Sequence, residues 1–172
     1  VPPDPPPLVT LSTQEQEQDI ARFLNQCTFG ATPDSIAEVQ AYIVSHGAGT
    51  NRVAGMSAWL DEQMNPALVP QTLHDPISDA GRNQNNPINN QYGREDSYAW
   101  LQTAVHAKDQ VRHRMATALS EIVVVSGDGA AISTGRNRTI STYYDMLAEN
   151  AFGAYTNLLY DVSVSPAMGI YL

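Results

Sequence analysis

The sequence predicts an all-α, orthogonally packed multi-helix domain with long polar loops, the N-terminal part of a larger helical protein. Three observations carry this reading. Apolar residues recur at three- and four-residue spacing through most of the chain after Ser12, the period of a helix with one buried face. Helix starts are marked by side chains able to cap backbone amides, and no pair of strands is visible. An apolar helical segment opening at Ser165-Pro166 reaches Leu172 after about two turns, and helices shorter than ~12 residues are marginal without a partner to pack on. The chain is therefore expected to continue past Leu172.

Residues 1–11 hold five of the eleven prolines and read as an extended tether, against a disordered terminus as the plainer alternative. The helical domain is placed at 12–172. Ser12 with Glu15 fits a capping box, and Ile20, Phe23 and Leu24 follow at helical spacing, giving a first helix over about 13–26. Thr32-Pro33-Asp34 combines a cap, a proline suited to the first turn and an acid at the positive end of the dipole. Ile36, Val39, Ile43 and Val44 form the stripe of that second helix, and His46-Gly47 ends it. A short third helix, about 56–64, puts Met56, Trp59, Leu60 and Met64 on one side.

From Pro66 to about Arg94 the periodicity vanishes and Asn and Gln dominate; a loop that long inside a compact domain is disordered, functional or pinned against other protein, the last two together being the preferred reading. Helix returns over about 96–107 on Tyr98, Leu101 and Val105, and the strongest helix covers 109–125 on Val111, Met115, Ala118, Leu119 and Ile122. Its last turn, Ile122-Val-Val-Val125, is either buried all round or unwinds. A turn at 126–129 and a polar loop at 130–138 precede helices over 140–150 and 155–162, with Gly153 between them expected as a left-handed cap.

The chain has 172 residues, enough for one domain that buries roughly 70% of its unfolded surface. Its formal charge of −9 repels phosphate backbones, so nucleic acid is not an expected partner. The single cysteine, Cys27, leaves no internal disulfide, and no apolar run approaches the ~20 residues of a transmembrane helix. Eight of nine bases are Arg, in a surface rich in Asn, Gln, Ser and Thr, a composition common among exported proteins. The front, Val1-Pro-Pro-Asp-Pro-Pro-Pro7, has no basic stretch leading into an apolar one, as expected of a mature protein after signal removal or of an end set by proteolysis. An extracellular, periplasmic or envelope location follows as an expectation.

Three stretches carry a family likeness: Arg22-Phe-Leu-Asn-Gln-Cys-Thr-Phe-Gly-Ala-Thr-Pro33, Asp109-Gln-Val-Arg-His-Arg-Met-Ala-Thr-Ala-Leu-Ser-Glu-Ile-Val-Val-Val-Ser126, and Tyr143-Tyr-Asp-Met-Leu-Ala-Glu-Asn-Ala-Phe-Gly153 running into Asp161-Val-Ser-Val-Ser-Pro-Ala-Met-Gly-Ile-Tyr-Leu172. In order and spacing they resemble the bacterial family called domain of unknown function 1800, of which this chain looks like the N-terminal portion. The resemblance implies an exported or envelope-associated bacterial protein and brings neither an established reaction nor catalytic residues. Cys27 stands where a small residue is expected, and Ser165 where a His is expected before Pro166.

For chemistry, the candidates lie mainly on the 109–125 helix. His106, Asp109 and His113 could form a metal or acid–base site; against it, Asp109 equally fits the helix cap, and a polar face opposite a core stripe is usually solvated. Neither a metal nor a cofactor is predicted. Arg112, Arg114 and Glu121 suit helix packing, or an Arg grip on an anionic substrate. The catalytic candidates are Arg112, His113, Glu121 and Tyr144. Tyr143, Tyr144, Tyr155, Tyr160 and Tyr171 form an aromatic cluster suited to contact with another chain or with the remainder of this one, with ordinary core packing as the alternative. Cys27 reads as a small buried hydrophobe. Two functions stand: a structural or interaction subunit of an extracellular or envelope assembly, and an exported enzyme whose site is completed beyond residue 172.

Overall fold

The computed structural model describes residues 12–47, 51–84, 95–126 and 136–172. The tether at 1–11, the Asn/Gln-rich run at 85–91 and most of the turn and polar loop before residue 136 lie outside the described residues. Among those described, the chain forms nine helices and no strand: α1 Thr13–Cys27, α2 Pro33–His46, α3 Arg52–Met64, α4 His74–Gln84, α5 Glu95–His106, α6 Gln110–Ile122, α7 Arg136–Glu149, α8 Tyr155–Val164 and α9 Pro166–Tyr171. The all-α expectation holds.

The first two helices start as their sequence dictates. The Glu15 amide donates to Ser12 Oγ while Glu15 Oε2 accepts the Ser12 amide at 2.8 Å, a closed capping box. Thr32 and Ser35 repeat the arrangement at α2. Helix α3 begins a turn earlier than the apolar pattern suggested, because Asn51 Oδ1 accepts the Ala54 amide and supplies a cap.

Three expectations are corrected. The stretch from 66 to 94 contains α4, which periodicity missed because its buried described positions, His74 and Ser78, are polar and its cap comes from a distant helix. Helix α5 is turned over relative to its apparent stripe: Tyr98, Leu101 and Val105 are exposed, and Ala99 and Thr103 face inward. Small residues four apart let α5 approach α4 and α7 closely, and that packing outweighs burial of the larger side chains. Gly153 is not a left-handed cap. Among described glycines only Gly30 has positive φ, at 146°, and the turn at 150–153 closes through short bonds from Ala151 N to Ala148 O and from Gly153 N to Asn150 O. Helix α6 also ends at Ile122, so the following valines leave the helix.

Two apolar cores result. Ile20, Leu24, Val39, Ile43, Trp59 and Val111 form one, built from α1, α2, α3 and α6. Ala116, Tyr143, Leu147, Ala148, Leu158, Val162 and Ala167 form the other, from α6 to α9. Gly55 brings α3 directly onto α2: a Cβ there would stand 2.4 Å from Ile43 Cα. Helix α6 contributes Val111 to one core and Ala116 to the other, and the buried residues between them are polar.

Candidate functional site

Those intervening residues are Arg112 and His113, and with Asp109 they are almost completely buried. The sequence pattern placed Asp109 and His113 on a solvated face opposite Val111, Met115 and Leu119. In the fold Met115 and Ile122 are exposed instead. A buried polar group costs free energy unless it finds a partner; Asp109 Oδ2 and Arg112 Nη1 find one, and the other polar atoms of these three side chains do not.

Asp109 occupies the cap position of α6 but makes no cap hydrogen bond. Its Oδ2 accepts the Thr72 amide at 2.9 Å and lies 3.1 Å from His113 Nε2 and 3.9 Å from Arg112 Nε. Burial pushes the Asp109 carboxyl up; the contact and charge of His113 and the Thr72 amide outweigh that and hold it below the usual range. Arg112 donates from Nη1 to Ala148 O at 3.3 Å and lies 5.2 Å from the centre of the Phe152 ring, leaving its Nε and Nη2 without hydrogen-bond acceptors. His113 Nε2, though close to Asp109, misses hydrogen-bond alignment, so both its ring nitrogens are unpartnered.

A second histidine–carboxylate pair closes on the first. Asp145 of α7 accepts the His74 amide at 2.6 Å and the Asp75 amide at 3.1 Å, and its Oδ1 lies 3.0 Å from His74 Nδ1. The His74 and His113 rings meet edge to face with centres 5.0 Å apart, and the Tyr144 ring lies 5.7 Å from His74. Phe29, Trp100, Thr103 and Thr117 complete a pocket around these rings with no room for a water-sized sphere. The arrangement sets two imidazoles edge to face, His74 in hydrogen-bond contact with Asp145 and His113 beside Asp109. No group of three or more His, Cys, Asp or Glu side chains among the described residues is arranged to hold a metal ion.

Of the residues singled out from sequence, the fold brings Asp109, Arg112, His113 and Tyr144 together. It leaves His106 exposed at the end of α5 and Glu121 exposed on α6. His74 and Asp145 were missed; the one local signal, His74-Asp75-Pro76 with acid and proline in a first turn, was hidden by the polar loop around it. Cys27 is half-buried, its Sγ 3.3 Å from Phe23 O, and burial pushes the thiol up.

The tyrosine cluster divides. Tyr143 is buried, with its hydroxyl donating to Val123 O at 2.7 Å and its pKa pushed up to about 12 by burial and by Tyr144. Tyr155 and Tyr160 are 61% and 68% exposed, and Tyr171 is exposed beside them in sequence with Leu159, Val164 and Ile170. Over 154–172 the only Asp, Glu, Lys or Arg is Asp161, whose Oδ2 accepts from Asn150 Nδ2 at 2.9 Å.

Elsewhere, an open cleft of about 1390 Å³ runs between the α1–α2 corner, α3 and the α5–α6 connection. No helix among the described residues is long and apolar enough to cross a membrane.

A family model described as "Protein of unknown function (DUF1800)" matches residues 22–172. No curated protein and no solved structure matches the chain.

Proposed function

This chain belongs to the DUF1800 family, and from that premise we propose that it is an interaction subunit of an exported assembly, binding another protein chain through α8 and α9. The observation that carries the proposal is the surface of these helices, which holds a single charged side chain, Asp161, and on which Tyr155, Leu159, Tyr160, Val164, Ile170 and Tyr171 all remain exposed. Exposed apolar residues scattered singly need no explanation; a group of six on two consecutive helices is of the kind that marks contact sites. Tyrosine suits such a surface because its ring is apolar and its hydroxyl takes a polar partner. In a chain of net charge −9, a face without bases and with one occupied acid selects a partner surface that is itself apolar. The exported location rests on the composition and on the resemblance.

Photo-crosslinking in the native cell tests this. A benzophenone amino acid at position 160 should yield a single defined adduct with another protein, and one at exposed Val44 should not. Equal labelling at both positions, or none at 160, overturns the reading.

The histidine seam favours a second reading, an enzyme whose site is completed by further polypeptide. His74 is oriented by Asp145 through Nδ1, the geometry that prepares an imidazole for proton transfer, with Arg112, His113 and Tyr144 adjacent. Glu121 is remote from neither helix α6 nor solvent, and contributes nothing to the seam. The full-length protein would be assayed on ester, phosphate and glycoside chromogenic substrates. Activity lost in His74→Gln and His113→Gln supports this reading, and activity unchanged in both excludes it.

A further inference from the structure

We propose that the open cleft is a binding site for a basic peptide segment, a ligand site distinct from the α8–α9 face and adjoining the histidine seam, with whose lining it shares Phe29, Thr103 and Ala104. Three acids line it: Asp34 and Glu38, one helical turn apart on α2, and Glu62 on α3. Two of them are fixed in place by neutral donors. Trp59 Nε1 donates to Glu38 Oε1 at 2.8 Å, and the Tyr42 hydroxyl donates to Glu62 Oε2. The proximity of Glu62 shows in Tyr42, whose pKa is pushed up to about 12.

Neutral donors orient a carboxylate without cancelling its charge. Among the described residues none of the three acids forms an ion pair, so the cleft presents preorganised, uncompensated negative charge. Among the described residues of its lining the one Lys or Arg, Lys108, comes from the α5–α6 connection and not from the acidic helices.

Two further side chains in the lining carry the case beyond acidity. Gln63 and Thr103 are 4% and 1% exposed, and Gln63 Oε1 and Thr103 Oγ1 have no hydrogen-bond partner in the protein. A buried acceptor left unpaired costs on the order of 1–3 kcal/mol, and here two stand in the walls of one cleft. Gln63 Oε1 only accepts hydrogen bonds, as the carboxylates do, and the Thr103 hydroxyl can accept as well as donate, so the complementary ligand is rich in donors. A peptide with Lys or Arg side chains supplies both kinds, cationic heads for the acids and backbone amides for the buried oxygens. Size points the same way: about 1390 Å³ exceeds the ~300–1,000 Å³ typical of small-ligand pockets.

The test is fluorescence anisotropy of a labelled octapeptide containing three arginines, titrated with the full chain, beside the same peptide with glutamates in their place. Saturable binding of the basic peptide alone is expected, weakened about tenfold or more by Glu38→Gln with Glu62→Gln. The Gln side chains keep an acceptor for Trp59 and Tyr42, and Asp34→Asn provides a second variant that disturbs neither bond. Glu17→Gln with Asp61→Asn, the same charge change on exposed positions outside the lining, should leave binding within about twofold, since distant surface charges are screened by salt. Equal binding of both peptides, or equal weakening by the cleft and control pairs, overturns the proposal, as does competition by spermine as effective as that by unlabelled peptide.

Discussion

Asp145 caps a helix that begins 71 residues before it: its carboxylate takes the His74 amide at 2.6 Å and, through the other oxygen, the Asp75 amide at 3.1 Å. The first-turn amides of α4 thus find their acceptor on α7, and a negative charge meets the positive end of the helix dipole. Replacing Asp145 with Ala removes both acceptors and the His74 partner together. The expected loss is about 2–4 kcal/mol in urea unfolding, with Asn, which keeps one acceptor oxygen, losing less than Ala.

Acid should act through Asp109. A carboxyl held below its ordinary value of about 3.8 contributes stability that is complete above that value and is lost as pH falls through the lower folded value. Asp109→Asn should therefore be less stable than the parent at neutral pH, by about 1–3 kcal/mol, and the gap should narrow as pH falls below ~4. Urea midpoints of both proteins across pH would show a gap independent of pH if the carboxylate did not matter.

Gly55 is fixed by contact. Its backbone conformation is ordinary helix, but an added Cβ would press on Ile43 backbone, which cannot swing aside as a flexible side chain does. Gly55→Ala should destabilise by about 1–3 kcal/mol despite the better helix propensity of Ala. Thermal unfolding followed by circular dichroism measures the shift.

The reversed face of α5 gives a paired comparison. Leu101→Ser, at an exposed position, should change stability by less than about 0.5 kcal/mol. Ala99→Leu, at a fully buried one, should cost about 1–3 kcal/mol through overpacking. A larger effect from Leu101→Ser than from Ala99→Leu would restore the orientation that the sequence pattern suggests.

Cys27 should alkylate slowly. Burial pushes its thiol up, which reduces the thiolate that reacts at neutral pH. Iodoacetamide labelling followed by mass spectrometry should be slower than for glutathione and should accelerate once urea unfolds the chain.

What could be read from sequence divides along the source of each constraint. The starts of α1 and α2 were legible because Ser12 with Glu15 and Thr32 with Pro33 are signals within one turn. Helix α4 was illegible because its cap lies on α7, and α5 was misoriented because close approach through Ala99 and Thr103 leaves no apolar stripe. The site shows the same division. Asp109, Arg112, His113 and Tyr144 were found as chemistry-bearing residues on recognisable helices, whereas His74 and Asp145 acquire meaning only by meeting. No spacing within a segment encodes a contact between segments, and the burial of His113 follows from such contacts.

The segment from Gln71 to Asp75 is tied down almost entirely by later parts of the chain: Gln71 Nε2 donates to Asp145 O, the Thr72 amide to Asp109, and the next amides to Asp145. On a ribosome, synthesis proceeds at ~5–20 residues per second, so this segment waits several seconds for its partners to be made. During that interval α1 to α3 can associate, but α4 lacks its anchor and the cleft lacks a completed far wall. The 71–75 segment is thus set only after α7 is made, and a nascent chain arrested before residue 145 would expose that backbone to proteases more than the finished protein does.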